Sequence, residues 1–350
     1  MSGAPTVSVV MAAYNGAALI GETLASLGRQ TLTDWEAIVV DDASTDATRE
    51  VVAHWPDPRV RLVALPENGG PVRARNRALA EARGRHIAAL DQDDLCHPER
   101  LARQVAFLDQ HPHVALVGTA ARVLDERGTL SAARHAAITS PALLAWLLRI
   151  GNPLVWSSVM LRGEAARALA PFGRPEMLYA EDFDLYHRAS RLGAIARIDA
   201  PLLTYRQHSG GASQRYEERM LASAAQVLRE DHRATFGDGA AESAAAVVTH
   251  LMHGRPVADR ASLAQLGGTI AALKADHLAR HHLAASDARL IEWETGRRWA
   301  KVVRAALGAG TIGLADALAA RAVLPHLGVE GLAWAGLVGG ARRRGYTFAA

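Results

Sequence analysis

The chain of 350 residues contains one cysteine, Cys96, so it has no internal disulfide framework, and a reducing compartment is expected. No window of about 18 residues is free of charged and polar breaks, which argues against a transmembrane helix. The start "MSGAPTVSVVMAAYNG" lacks a basic segment followed by a long apolar core, so no secretion signal is expected. There is no cysteine cluster of the zinc type, no internal repeat and no low-complexity tract. The densest basic spots, "RARNR" at 73–77 and "ARRRG" at 341–345, are not interleaved with aromatics as in single-strand binders. A formal charge of +3 and a pI of about 9.3 would suit an anionic partner, but the charges are dispersed, and nucleic acid is not an expected one. What is present is 49% hydrophobic and 21% charged residues, the balance of a soluble globule. The length suits one large α/β domain and a smaller appendage.

Through the first half, apolar runs alternate with helical patterns: "VSVVMAA" (7–13), "EAIVVDD" (36–42), "VRLVAL" (60–65), "HIAALD" (86–91) and "VALVGTAARVL" (114–124). Strand, helix, strand in repeated order implies a parallel sheet with helices on both faces. Hydrophobicity that is continuous along each strand means that both sheet faces are covered. Right-handed crossovers then bring the strand C-termini to one edge, the usual place for a ligand crevice. Tyr14-Asn15-Gly16, Asp41-Asp42-Ala43-Ser44 and Asp91-Gln92-Asp93-Asp94 are expected to meet there. Ser44 or Thr45 is a candidate cap for the helix that follows, which would leave Asp41 and Asp42 as turn residues. Asn68-Gly69-Gly70 marks a turn and Pro71 suits a first helical turn, with Arg73, Arg75 and Arg77 close behind. A helix start beside arginines is a natural place for an anion, although a solvated basic face is the plainer reading for Arg73 and Arg77.

The tip of "HIAALDQDDLCHPERL" poses a physical problem. Three aspartates in four residues repel one another unless something positive lies among them. A surface turn capping a helix ahead of Pro98 is one answer, and a bound cation is the other.

The order and spacing of "VSVVMAAYNG", "VVDDASTDAT", "NGGPVRARNRALAEARGRHIAALDQDDLCHPERL", "AEDFDLYHRASRLG" and "TYRQHSGGAS" resemble the inverting family 2 glycosyltransferases. That resemblance implies a GT-A type α/β fold: a doubly wound mixed, mostly parallel sheet with helices on both faces, here with a C-terminal helical extension. It implies a nucleotide diphosphate sugar donor, a UDP-sugar foremost. Tyr14 would stack on the base, Asp42 would accept from its N3–H, and the backbone of Ala12 would lie beside them. Many members carry Thr or Ser before the residue preceding that tyrosine; Ala12 and Ala13 leave backbone contacts only. Arg75 would contact the donor. In the "DQDD" tip, Asp94 would bind Mn2+ or Mg2+, Asp93 would bridge towards ribose or metal, and Asp91 would orient the loop. Such ions favour one or two carboxylates together with phosphate oxygens and water.

In the second half, "LYAEDFDLYHRASRLG" reads as a helix beginning near Glu181, with Phe183, Leu185, Tyr186 and Ala189 facing inward. Its acids would favour the helix dipole in any case. By resemblance, Asp182 is the catalytic base, Glu181 orients the acceptor, and Asp184 flanks them on the helix. His208 would bind the metal or the diphosphate, with Arg206 or Ser213 on phosphate, in a loop over 207–216 that orders when the donor arrives. Trp156 would face the acceptor.

The expected organisation is a catalytic domain over 1–215, with nucleotide-sugar binding in 1–110 and the acceptor and catalytic part in 111–215, followed by helices over 216–350. Those helices are candidates for covering the acceptor cleft or making a homodimer. The stretch 323–345, with Trp334 and a basic end, is a candidate for peripheral membrane contact at the inner face of the membrane of an otherwise cytoplasmic protein. Two other classes stay open at this point. A nucleotidyltransferase would show a Gly-rich loop with a basic residue after the first strand, which "AAYNGAALIGE" lacks, and a non-catalytic binding module would not need Glu181-Asp182 or His208.

Overall fold

The computed structural model describes residues 3–132, 136–208 and 216–319. Ser213, the 323–345 stretch and most of the loop over 207–216 lie outside the described residues. The chain forms two compact units, one of residues 1–141 with 153–223 and one of 142–152 with the chain from 224 onward. The segment 142–152, inside the stretch that the sequence grouped with the catalytic part, thus belongs to the second unit.

The first unit is built on one mixed sheet. Its strands are β1 (Val7–Ala13), β2 (Trp35–Asp41), β3 (Val60–Ala64), β4 (His86–Ala89), β5 (Leu95–Cys96), β6 (Val114–Leu124), β7 (Leu130–Ala132), β8 (Met160–Arg162) and β9 (Ala194–Arg206), in the order β3-β2-β1-β4-β8-β6-β9-β5 with β7 beside β6. Pairing is parallel through β3-β2-β1-β4 and between β6 and β9, and antiparallel where β8 enters between β4 and β6. Helices α1 (Ile20–Gly28), α2 (Thr48–Ala53), α3 (Gly70–Glu81) and α4 (Arg100–Gln110) connect these strands. Val7, Val9 and Met11 pack in one cluster with Ile20, Leu24 and Leu27 of α1 and Leu101 and Leu108 of α4. The alternate residues Val10, Ile38 and Val40 are fully buried too, because the other sheet face is covered as well.

The register aligns Ala13 with Asp41, and Asp41 with Ala64, so the loops after β1 and β2 leave from one edge. β1 lies between β2 and β4, so the chain order reverses beside it and opens a crevice between the tips of β1 and β4. The two-residue β5 pairs antiparallel with β9, Leu95 opposite Thr204 and Cys96 opposite Leu203. That pairing brings the end of β9 back to the residues following β4. Helices α5 (Pro141–Leu148), α6 (Gly163–Ala168) and α7 (Glu181–Ala189) follow in chain order; α5 lies almost wholly in the second unit.

The second unit is helical, with residues 224–236 of the helix Glu217–Phe236 and the long helices Arg260–Arg280 and Ala285–Ala309. Its interior is organised by Arg149, which meets Asp231 at 3.0 Å, Asp276 at 2.7 Å and Thr235 at 2.9 Å. Trp146 Nε1 donates to Thr295 at 2.9 Å. Among the described residues, no helix is long and apolar enough to cross a membrane.

Candidate active site

The loop after β1 carries Tyr14, 46% exposed, a flat apolar surface at the crevice. Its backbone is clamped on both sides by one side chain. Gln92 Oε1 accepts from Tyr14 N–H at 3.0 Å, and Gln92 Nε2 donates to the Tyr14 carbonyl at 3.0 Å. The clamp needs Gly16, since a Cβ there would meet Gln92 Oε1 at 2.2 Å. Asn15 adopts φ 48° and joins the β1 and β2 loops: it donates to Ser44 Oγ and accepts from the Thr45 N–H, at 3.0 and 2.9 Å. Ser44 and Thr45 therefore do not cap α2, contrary to expectation, because their hydroxyls and backbone are spent on this loop contact; Asp46 accepts from the Thr48 N–H at 2.9 Å instead.

Asp41 is fully buried and bound by Arg49 at 2.9 Å, an anchor for the loop. Asp42 follows the β2 tip at the crevice, where its N–H donates to the Ala13 carbonyl at 2.8 Å while Ala12 stays half-buried on β1, and its carboxylate accepts the backbone N–H of Gly69 at 2.9 Å and of Gly70 at 2.7 Å. Each carboxylate oxygen can accept a second bond, so a donor from a base can still be met. This contact fixes the start of α3, where Gly70 has φ 83°.

The "DQDD" tip is held by four hydrogen bonds to three residues. Ser157 accepts the Asp91 N–H at 3.0 Å, Thr23 donates to the Gln92 carbonyl at 2.8 Å, and Arg206 gives its N–H to Asp94 Oδ1 at 2.9 Å and its Nε to the Asp93 carbonyl at 3.0 Å. Asp94 is completely buried and caps no helix; α4 begins only at Arg100. His208, brought round by the β5–β9 pairing, places Nε2 2.9 Å from Asp93 Oδ2. Burial, then the charges of Asp93 and Asp91, push the Asp94 carboxyl well above the usual carboxylate range. Asp93 is raised in the same way, by burial and Asp91, against the pull of His208.

Among the described residues, no three histidine, cysteine or acidic side chains form a ready-made cage for a metal. A magnesium-type site needs none, since it is completed by substrate phosphates and water. Asp94 Oδ2 is buried without a hydrogen-bond partner, and the two other aspartates of the tip, Asp93 and Asp91, bring their charges to bear on it. An orphaned carboxylate oxygen among like charges fits an oxygen-preferring divalent cation.

Arg75 joins this tip to α7. Its Nη2 meets Asp91 Oδ1 at 2.8 Å and its Nη1 meets Glu181 Oε1 at 2.5 Å, while its guanidinium lies 4.8 Å from the centre of the Trp156 ring. Burial alone would lower its pKa, yet the charges of Asp91 and Glu181 hold it above its ordinary value. Trp156, expected to face the acceptor, is instead buried beneath this arginine and beside Phe172. On α7, Phe183, Leu185, Tyr186 and Ala189 are buried as the spacing predicts. Asp182 is half-buried, and its Oδ1 accepts the Phe183 N–H at 2.7 Å. Asp184 is buried and clamped by Arg174 and by Arg188, the latter at 2.8 Å. The buried Tyr186 phenol is raised by burial and then by the Asp182 charge, which locates that hydroxyl near the same carboxylates.

The arrangement is an acidic strand tip joined through one arginine to an acidic helix start, beside an exposed aromatic ring. The profile described as "Glycosyl transferase family 2" matches residues 8–163. The putative glycosyltransferase EpsE of Bacillus subtilis is 36% identical over 193 residues, covering 54% of this chain and 68% of EpsE. The chain belongs to glycosyltransferase family 2. A relative with a more specific name is the UDP-Glc:alpha-D-GlcNAc-diphosphoundecaprenol beta-1,3-glucosyltransferase WfgD of Escherichia coli, 38% identical over 102 residues, 29% of this chain and 40% of WfgD. Among solved structures, S. aureus TarS 1–349 in complex with UDP-GlcNAc aligns with TM-score 0.55 at 18% identity, covering 98% of this chain and 93% of that one. The mannosyltransferase PcManGT from Pyrobaculum calidifontis, in complex with GDP-Man and Mn2+, gives 0.52 at 23% identity, covering 94% and 87%. At such identities the likeness is one of fold, the GT-A type. This family 2 member is thus a glycosyltransferase, and the nucleotidyltransferase and the non-catalytic module are set aside.

Proposed function

We propose that the enzyme transfers a sugar from a UDP-sugar to a hydroxyl acceptor with inversion, in polysaccharide or glycoconjugate synthesis on the cytoplasmic side of the membrane. The observation that carries this reading is the Asp91–Arg75–Glu181 link, which joins the acidic tip to the residue before Asp182. Tyr14 stacks on the base and Asp42 accepts from it. Asp94, with Asp93 and His208, holds a divalent cation, Mn2+ or Mg2+. Such an ion, when bound, supplies Lewis-acid neutralisation of the charge developing on the leaving diphosphate. Asp182 takes the proton of the acceptor hydroxyl as its oxygen bonds to the anomeric carbon and the bond to the diphosphate oxygen breaks. One displacement with no enzyme nucleophile inverts the anomeric centre. A UDP-Glc donor and a lipid-linked saccharide acceptor are named for WfgD, and UDP-GlcNAc is bound by TarS; both favour the uridine reading here.

The test is a thermal-shift panel of UDP-glucose, UDP-galactose, UDP-GlcNAc and GDP-mannose, each with and without Mn2+, followed by hydrolysis of any donor that stabilises the protein. The reading expects a uridine donor to raise the melting temperature only with metal and to be slowly hydrolysed. A metal-independent shift, or none with any UDP-sugar, would overturn it.

A further inference from the structure

Beside the start of α7, Tyr179 and Tyr216 stack face to face, with ring centroids 4.4 Å apart and planes 7° from parallel. Tyr216 is 40% exposed and Tyr179 half-buried. Tyr179 holds φ 69°, a left-handed conformation that is unfavourable for a non-glycine residue. Such strain persists only where neighbouring contacts over-determine it. Two are present: Ser223 Oγ donates to the Leu178 carbonyl at 2.9 Å, and the Ala180 N–H donates to the Met177 carbonyl at 2.9 Å. The chain thus fixes an aromatic ring in a strained position three residues before Asp182. Burial above all pushes the Tyr179 phenol up to about 12, so it stays a neutral hydroxyl at ordinary pH.

We propose that the Tyr179–Tyr216 pair is the platform on which the acceptor binds, and that the acceptor is a neutral saccharide; this rests on Asp182 being the base. A pyranose has an apolar face of C–H groups and a rim of hydroxyls. A flat exposed aromatic takes the C–H face, which turns the rim hydroxyls sideways towards neighbouring polar groups. Here the neighbour in sequence is the carboxylate that needs a hydroxyl to deprotonate. The charge around the pair is acidic on balance and selects against an anionic acceptor: Glu176, Glu181, Asp182, Glu217 and Glu218 lie within three residues of one tyrosine or the other in sequence, against Arg215 and Arg219, the latter acting on Tyr179. Phosphate-bearing polyols would be repelled, whereas an uncharged sugar is not.

Saturation-transfer NMR on the full chain with UDP and Mn2+ tests this, using methyl β-glucoside, methyl β-galactoside, methyl N-acetyl-β-glucosaminide and glycerol 3-phosphate as probes. Expected is saturation of the C–H protons of at least one methyl glycoside, reduced at least fivefold in Tyr216→Ala and kept in Tyr216→Phe, with both variants melting like the parent. Undiminished saturation in Tyr216→Ala, saturation of glycerol 3-phosphate alone, or saturation of no methyl glycoside would overturn the proposal. Asp182→Asn, run in parallel, separates the two readings. Turnover surviving in Asp182→Asn strikes at the base, and saturation surviving in Tyr216→Ala strikes at the platform.

Discussion

Replacing Arg75 by methionine probes the joint between the acidic tip and α7. The arginine side chain is 12% exposed and Glu181 9%, so their interaction is poorly screened; Asp91, at 30%, is screened more. Two unit charges about 4 Å apart attract by about 4 kcal/mol at an effective dielectric of about 20. Desolvation offsets part of that for the intact pair, but removing one partner strands the other, which typically costs about 3–5 kcal/mol. Arg75→Met is therefore expected to destabilise the catalytic unit by about 3–5 kcal/mol in equilibrium urea unfolding. Glu181→Gln in the Arg75→Met background removes one stranded charge, so the double variant should be less damaged than the sum of the singles by about 2 kcal/mol. Fluorescence reports locally as well, because Trp156 lies beneath the guanidinium. A single variant within about 1 kcal/mol of the parent, or additive singles, would show that Arg75 is not the joint.

Gln92→Ala removes both bonds to the Tyr14 backbone, each worth about 0.5–1.5 kcal/mol, and should weaken UDP binding by about tenfold in calorimetry; unchanged affinity would mean that Tyr14 needs no clamp. Asp184→Asn loosens Arg174 and Arg188 and should lower the melting temperature clearly, whereas Asp182→Asn should not; comparing the two melts checks this division between neighbouring carboxylates of one helix. His86 is buried and its pKa is lowered to about 4, by burial first and then by the Arg85 charge. The unfolded chain takes up this proton below about pH 6.5 while the native one does not, so stability falls as pH drops from about 6.5 to about 4. That amounts to about 1–2 kcal/mol between pH 7 and pH 5, and it should shrink in His86→Leu when urea midpoints are compared at the two pH values.

Much of the first unit was legible because its strands are buried on both faces and so read as continuous apolar runs; β1 and β6 span the very residues of "VSVVMAA" and "VALVGTAARVL". The polar tips were legible for the same reason, as abrupt ends to those runs. The short antiparallel insertions were not. β5 has two residues and β8 three, too few for any period, and their pairing is decided by β9 and β6, far along the chain. Arg75 was singled out, yet its partners lie 16 and 106 residues away, and nothing local announces them. The clamp by Gln92 was invisible because it grips backbone, which carries no signal in the sequence. Trp156 was read as a contact surface, since an aromatic after "GNPLV" does not reveal that an arginine will cover it.

The account turns on a carboxylate of α7 doing chemistry at a site assembled on the β4 tip. Its most direct test is Asp182→Asn in the full chain, measuring UDP affinity by calorimetry with Mn2+ and the rate of sugar release from the preferred UDP-sugar. The account predicts an affinity within about threefold of the parent and a rate lower by about a thousandfold, within the usual reach of general-base catalysis. A variant that binds UDP normally and still turns over at close to the parent rate would contradict it.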